Sequence, residues 1–526
     1  MVHNQLLQRI ERLNEIGASL SAETDNGKIL ESILHGAREL TGADGGTLYR
    51  VDDNNMLYFN LLETESLGIH MGQDSENPLP MAPIPLYDEA GLPNDNLVAV
   101  NAAIHGQTIN IADAYDAEGF NFTGTRAFDK KTGYRSKSFL TVPMTNQRQE
   151  IIGVLQLINA QQEDGTIIPF SQENQELAES LASQAAVAIT NHQLVSELKL
   201  LMESFIDVIS QAIDAKSPYT GGHCRRVPEI ALMLADAVSE TTDGQFSDYH
   251  LSDEQRYEMK IAAMMHDCGK ITTPVHIVDK GTKLETIYDR IDLVDARFEL
   301  VHKDAEITML REKMAQQQIE WSEEDQGRLK HQQDAIELDR AFVHQCNQGG
   351  EFMAETLQQR VTTIGQRQWT DHVGESKPLL TDNEITNLNI TKGTLLPEER
   401  EIINNHITLT IKMLRSLPFP SHLRNVPEIA GGHHEKMDGT GYPLGLKREE
   451  MSIEARMLGI ADIFEALTAC DRPYKDGMPL SRVIQIMGFM KKEHHIDPDL
   501  FDEFVIRKVY LQYAKTYLKP ELIDMD

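Results

Sequence analysis

Near its C-terminus the chain reads His433-His434-Glu435-Lys436-Met437-Asp438-Gly439-Thr440-Gly441-Tyr442-Pro443, and well upstream it carries His266-Asp267-Cys268-Gly269-Lys270. Ligand-type side chains so far apart act together only if the fold brings them to one point. The two runs therefore restrict the architecture more than any other feature. Paired imidazoles and an adjacent His-Asp doublet can hold two cations. Imidazole with carboxylate suits iron, manganese or zinc better than calcium. Asp267 is the natural carboxylate to bridge a pair. Gly439, Gly441 and Pro443 force a tight loop that presents Tyr442 as a wall beside such a site.

Length and charge bound the rest. At 526 residues the chain exceeds one ordinary core, so two or three domains are expected. The formal charge of −33, from 49 Lys+Arg against 82 Asp+Glu, repels duplex nucleic acid and anionic membrane. A small anionic substrate then needs a local basic pocket. Met1 to Leu20 is polar and helix-like, without the apolar core of a signal peptide, and no run of about 18 apolar residues could span a bilayer. Cys224, Cys268, Cys346 and Cys470 form no C-x-x-C pair, so neither disulfides nor a zinc knuckle is expected, and the cytosol is the expected compartment.

After an N-terminal helix over 1–20, residues 21–170 read as a mixed α/β domain. An amphipathic helix, Lys28 to Leu40, precedes the strand Gly46 to Val51. Ser138 to Met144 and Ile151 to Asn159 read as antiparallel strands joined by the polar loop Thr145 to Glu150. With Ala102 to Tyr115 and Phe128 to Ser138, this half resembles a GAF domain, an antiparallel sheet with helices. The resemblance implies a small ligand between sheet and covering helices. Of the ligand-associated Asn–Lys–Phe signature, Asn159 and Phe170 are present, but Ala160 stands at the lysine position. The domain is then either a nucleotide sensor or a dimerisation unit. Residues 171–213 carry no Gly or Pro and place Leu177, Leu181, Ala185, Ala188, Ile189, Leu194 and Leu198 at helical spacing. They read as a two-stranded signalling helix, or else as a helix packed on its own domain.

The C-terminal motifs resemble the HD-GYP family of metal-dependent phosphodiesterases, which hydrolyse cyclic di-GMP. The resemblance implies an all-α HD-type metallohydrolase domain over 202–284 and 392–526. It implies metal ligation by His223, His266, Asp267, His406, His433, His434 and Asp462. Taken singly, each histidine is more often a core or surface residue than a ligand; the weight lies in the joint pattern. Some members place a glutamate four residues before the first histidine to recruit a third metal. Tyr219 stands there, so two divalent transition metals, iron or manganese, are expected. A two-metal site can activate water and offset the charge of in-line attack at phosphorus.

Lys270 follows Asp267 by three positions and on a helix shares its face, ready to meet a phosphate or to form a structural ion pair. Asp471-Arg472-Pro473-Tyr474-Lys475 resembles the family's substrate segment, with Arg472 as a fork for phosphate or guanine and Lys475 as a point charge. Asp267 and Lys270 are the expected catalytic groups; Lys270, Tyr442, Pro443, Arg472 and Lys475 line the substrate. Glu465-Ala466-Leu467 spells another phosphodiesterase family's name but lacks its context and reads as coincidence. Cys224 and Cys268 read as small buried residues.

The family's Lys-Gly-Leu stretch occurs twice here, at Lys280-Gly281-Thr282-Lys283-Leu284 and, 112 residues later, at Lys392-Gly393-Thr394-Leu395-Leu396. An insertion over 285–391 is expected. Leu293, Ala296, Leu300, Ile307, Leu310 and Met314, broken at Lys303, suggest a protruding helical hairpin; disorder is the other reading, chiefly for Gly349 to Asn389. The expectation is a homodimeric GAF-regulated phosphodiesterase that takes cyclic di-GMP to pGpG, with further cleavage to GMP left open. Three other readings stay open: hydrolysis of 3′,3′-cyclic GMP-AMP, a generic HD nucleotidohydrolase, and a regulatory module whose insertion docks signalling proteins.

Overall fold

The computed structural model describes residues 2–23, 25–72, 81–216, 222–242, 244–317, 320–350, 352–469 and 477–525, with side chains from residue 7 onward. Tyr219, Cys470, Arg472 and Lys475 lie outside the described residues. The chain divides into two compact units, Met1–Met202 and Glu203–Asp526. Among the described residues no helix is long and apolar enough to cross a membrane.

The first unit is an α+β domain. Helices α1 (Val2–Ala22) and α2 (Asn26–Thr41) precede strands β1 (Ala43–Val51), β2 (Met56–Thr64), β3 (Ile69–Gly72) and β4 (Ile84–Pro85). Then come α3 (Val98–His105), β5 (Ile109–Ile111), α4 (Thr123–Thr132), β6 (Phe139–Thr145), β7 (Ile151–Gln161), β8 (Ile167–Ile168) and α5 (Gln172–Lys216), of which the residues from Glu203 onward belong to the second unit. Asp25 caps α2 by accepting from the Lys28 amide, and Gly42 ends it in the left-handed region at φ 69°. The antiparallel sheet runs β3-β2-β1-β7-β6-β5, with β4 on β2 and β8 on β7. Val142 pairs with Leu155 across the expected hairpin.

Alternation along the strands feeds two layers. Ile33, Leu34, Leu48, Leu155, Leu181 and Ala185 join α1, α2 and early α5 on one face. Leu57, Leu86, Val100 and Val154 pack the other. Asn159, at φ 59°, accepts from the Lys137 and Ser138 amides and donates to the Arg135 carbonyl, so it fastens the segment before β6. A cleft of about 1310 Å³ opens beside the N-terminus of α2, between Lys28, Arg50, Arg148 and His192.

The two halves of α5 differ in what they face. Leu177, Leu181, Ala185 and Ile189 belong to the first unit's core. From Leu194 the apolar positions emerge: Leu194, Leu198, Leu201, Phe205 and Val208 recur at spacings of four and three and are 44–70% exposed.

The second unit is mainly helical. It contains α6 (His223–Ser239), α7 (Asp253–Met265), α8 (Val275–Val278), α9 (Ile291–Ala315), α10 (Glu323–Asn347), α11 (Glu355–Gly365) and α12 (Asp382–Leu388). A β9–β10 hairpin (Gln368–Thr370, Ser376–Pro378) lies between α11 and α12. Helices α13 (Pro397–Arg415), α14 (Val426–Gly431), α15 (Ile453–Thr468), α16 (Leu480–Lys492), α17 (Pro498–Ile506) and α18 (Val509–Tyr517) complete it.

Two details within residues 285–391 depart from the expected hairpin. Helix α9 runs unbroken through Lys303. It packs on α10 through Val294, Phe298, Val301 and Val343, whereas Leu293, Leu300, Ile307, Leu310 and Met314 face outward, 39–77% exposed. Periodicity defines a stripe but not what it faces, and α9 carries two apolar stripes. Within Gly349 to Asn389, the described residues include α11, the β9–β10 hairpin and α12, and Val361, Ile364, Leu379, Leu380 and Leu388 extend the same core.

Candidate metal centre

Each ligand-type residue owes its position to a helix end or helix face. His223 is the first residue of α6, after Gly222 at φ 84°. Helix α7, opened by a Ser252–Gln255 capping box, stops at Met265, so His266 and Asp267 stand at its C-terminal end. Cys268–Thr272 continue as a 3₁₀ turn. Gly269 lets that turn touch α13, because a Cβ there would lie 2.0 Å from the His406 carbonyl oxygen. His406 sits on α13, His433 and His434 follow α14, and Asp462 lies on α15.

These residues converge as two clusters joined by one carboxylate. Within His223–His266–Asp267, and separately within His406–His433–His434, the ligand atoms lie within 4.8 Å of one another. Asp267 Oδ2 is 3.5 Å from His223 Nε2 and 3.4 Å from His266 Nε2. Its Oδ1 faces the other way, 3.1 Å from His406 Nε2 and 3.9 Å from His433 Nε2. Asp462 Oδ1 closes the first cluster, 3.3 Å from His223 and 3.6 Å from His266. Asp267 Oδ1, His406 Nε2 and His433 Nε2 are buried without a hydrogen-bond partner. Buried polar atoms are normally paired, so these orphans, on side chains of metal-ligand chemistry, fit cations held between the clusters.

The tautomers agree. His266, His406 and His433 each direct Nδ1 at a carbonyl three residues earlier, of Ala263, Ile403 and Ala430. Nε2 is thereby left as the donor atom. Burial takes His434 down to about 4 and His433 well below its ordinary value, which favours the neutral form that a ligand needs. Burial opposes charge on His266 too, but Asp267 and Asp462 outweigh it and carry this group up to about 9.

Lys270 lies on the 3₁₀ turn rather than on α7. Residues three apart eclipse in such a turn, so its ammonium still meets Asp267 Oδ2. Tyr442 stacks on His434, ring centroids 4.9 Å apart at 24°. Glu435, itself buried, holds this loop by accepting from the Leu444 amide at 2.7 Å and the Leu446 amide at 3.0 Å. A Cβ on Gly441 would lie 2.3 Å from the Lys436 nitrogen. Cys224 and Cys268 are buried; burial takes the Cys268 thiol up to about 11 and the Cys224 thiol higher still, which leaves both protonated and inert.

Two acids escaped the sequence reading. Glu465, set aside as part of a chance tripeptide, is buried against His223 and Arg226. Glu435, inside the most informative motif, holds the loop rather than a cation. For Glu435 the signal was available: an acid beside two histidines in a Gly-rich turn has backbone amides to satisfy.

The description "GAF domain" matches residues 25–189, and "HD domain" matches 381–500. A 3′3′-cGAMP-specific phosphodiesterase 3 of Vibrio cholerae is 39% identical over 21% of this chain and 23% of its own. A probable cyclic di-GMP phosphodiesterase of the same organism is 38% identical over 23% of this chain and 28% of its own. The chain thus spans about a quarter of the length of the curated relatives it matches. The solved GAF domain of an Acinetobacter phosphoenolpyruvate-protein phosphotransferase is 15% identical, covering 36% of this chain and 98% of its own, at a TM-score of 0.27. The chain carries a GAF domain and, after it, an HD domain bearing the motifs of the HD-GYP family.

Proposed function

We propose that the chain is a metal-dependent phosphodiesterase that opens a 3′–5′ linkage of cyclic di-GMP to give pGpG, under control of its GAF domain. The observation that carries the reading is Asp267, whose two carboxylate oxygens each face a separate histidine cluster, with Oδ1 and the His406 and His433 Nε2 atoms buried and unpaired. His223, His266 and Asp462 would hold one cation, His406, His433 and His434 the other, with Asp267 shared. Two divalent cations, iron or manganese, supply Lewis-acid charge and an activated water when bound.

The chain's own groups do the remaining work. Lys270 stands against Asp267, within reach of a phosphate oxygen beside the carboxylate. The Tyr442 ring, with Pro443 next to it, forms a wall on which a guanine can stack. Arg472 and Lys475 add positive charge for the second phosphate and the base edge. These cations answer the surplus of acid elsewhere on the chain. The exposed seam on α5 suits a second copy of the chain, which makes the enzyme a homodimer. A small ligand bound in the GAF domain is the proposed input.

The relatives' names include both cyclic di-GMP and 3′3′-cGAMP, so the mixed dinucleotide is a second reading for substrate. The test is to incubate metal-loaded full chain with each cyclic dinucleotide and with mononucleotides, then separate the products. Linear pGpG as the main product is expected. Cleavage of neither cyclic dinucleotide sinks the proposal, and preferential opening of the mixed one selects the second reading.

A further inference from the structure

His223 differs from the other imidazoles in how it is held. His266, His406 and His433 each use a carbonyl three residues back. His223 opens α6, at its first residue. Its Nδ1 instead meets Glu465 Oε2 at 2.5 Å, from α15, across 242 residues of sequence. The Glu465 side chain is 2% exposed, and Arg226, one turn along α6, donates from Nε to its other oxygen at 2.7 Å. Arg226 thus keeps Glu465 charged without occupying the oxygen that His223 needs.

The two halves of the centre are unequal as a result. The first contains Asp462, one oxygen of Asp267, and two imidazoles, one of them backed by a carboxylate. The second contains three imidazoles and the other oxygen of Asp267. A carboxylate behind a ligating imidazole fixes its tautomer and raises its donor strength. We infer that Glu465 is a positioning residue that holds His223 as an Nε2 donor and makes the His223–His266–Asp462 half the tighter of two cation sites. This rests on the metal-dependent reading above.

The test is calorimetric titration of the chelator-stripped full chain with Mn²⁺, with elemental analysis of bound metal. The wild-type chain is expected to take up two equivalents, the first at least about tenfold tighter. Glu465→Ala is expected to weaken the tighter one by about 10–100-fold and leave the other within about twofold. Glu465→Gln keeps an acceptor for Nδ1–H and is expected to fall between. Equal wild-type affinities, or a loss shared evenly by both equivalents, overturn the inference alone. A residue that merely tied α6 to α15 would produce such an even loss. A wild-type chain that binds no divalent cation overturns the phosphodiesterase reading as well. If Glu465→Ala does not fold, the wild-type and Glu465→Gln titrations decide.

Discussion

Asp267 carries the greatest demand of any single side chain here, because its two oxygens face opposite halves of the centre. Replacing it by alanine removes a shared ligand and the partner of Lys270 together. Hydrolysis is expected to fall at least ~100-fold, since loss of metal charge stabilisation costs several kcal/mol, with bound metal falling in parallel. Full turnover by Asp267→Ala would falsify the proposed centre. Gly441 makes a different demand. A methyl group there would meet the backbone at 2.3 Å and 2.4 Å, at the Lys436 nitrogen and Glu435 Cα, and neither atom can yield alone. Gly441→Ala is expected to cost about 1–3 kcal/mol of stability, read by equilibrium denaturation, and to displace Tyr442 from His434. At this scale most of the gathered residues were legible through the resemblance, whose motifs fix His266, Asp267, His433 and His434 locally and the distant His223, His406 and Asp462 only by family pattern. Glu465 was not. One acid inside a helix has no period and no local motif, and its partners come from a helix far away in sequence.

Among the elements, α5 and α9 show what hydrophobic spacing can and cannot establish. In α5 one uninterrupted pattern serves two surfaces: the GAF core as far as Ile189, and an exposed seam from Leu194 onward. The sequence contains no break between them, so the two roles became separable only once the sheet and its covering helices were placed. Leu201 and Phe205 are 55% and 61% exposed, so changing them leaves the first unit's core intact. Burial of each is worth about 1.5–3 kcal/mol, and a two-fold seam counts each twice. Leu201→Glu with Phe205→Glu is therefore expected to raise the dimer dissociation constant at least ~100-fold, measured by sedimentation equilibrium at unchanged helical content. A dimer as tight as wild type would remove α5 from the interface. In α9 the legible stripe proved to be the outward one. The inward positions Val294, Phe298, Val301 and Met309 were equally apolar, and only the partner helix distinguishes the two faces.

At the scale of the molecule, residues 285–391, read as an insertion, have flanks that stay together. The flanking segments are fastened to each other directly. Lys280 forms an ion pair with Glu399 at 2.8 Å, and Thr394 donates to the Lys280 carbonyl at 2.9 Å. Both ends of the insertion therefore leave from almost the same point, the condition under which inserted and deleted segments are best tolerated. The insertion also keeps its own core, built on Phe298, Val343, Val361 and Leu379, and none of the residues gathered around Asp267 lies within it. Replacing residues 285–391 by a short Gly/Ser linker is thus expected to leave bound metal unchanged and kcat/KM within about tenfold, since the ends of the segment meet at one point. The comparison uses metal analysis and the cyclic dinucleotide assay on the shortened chain beside the full one. Retained activity with a lost protein interaction assigns the insertion to docking. Lost metal in a chain that still folds would show that the insertion supports α13, where Glu399 and His406 share one helix.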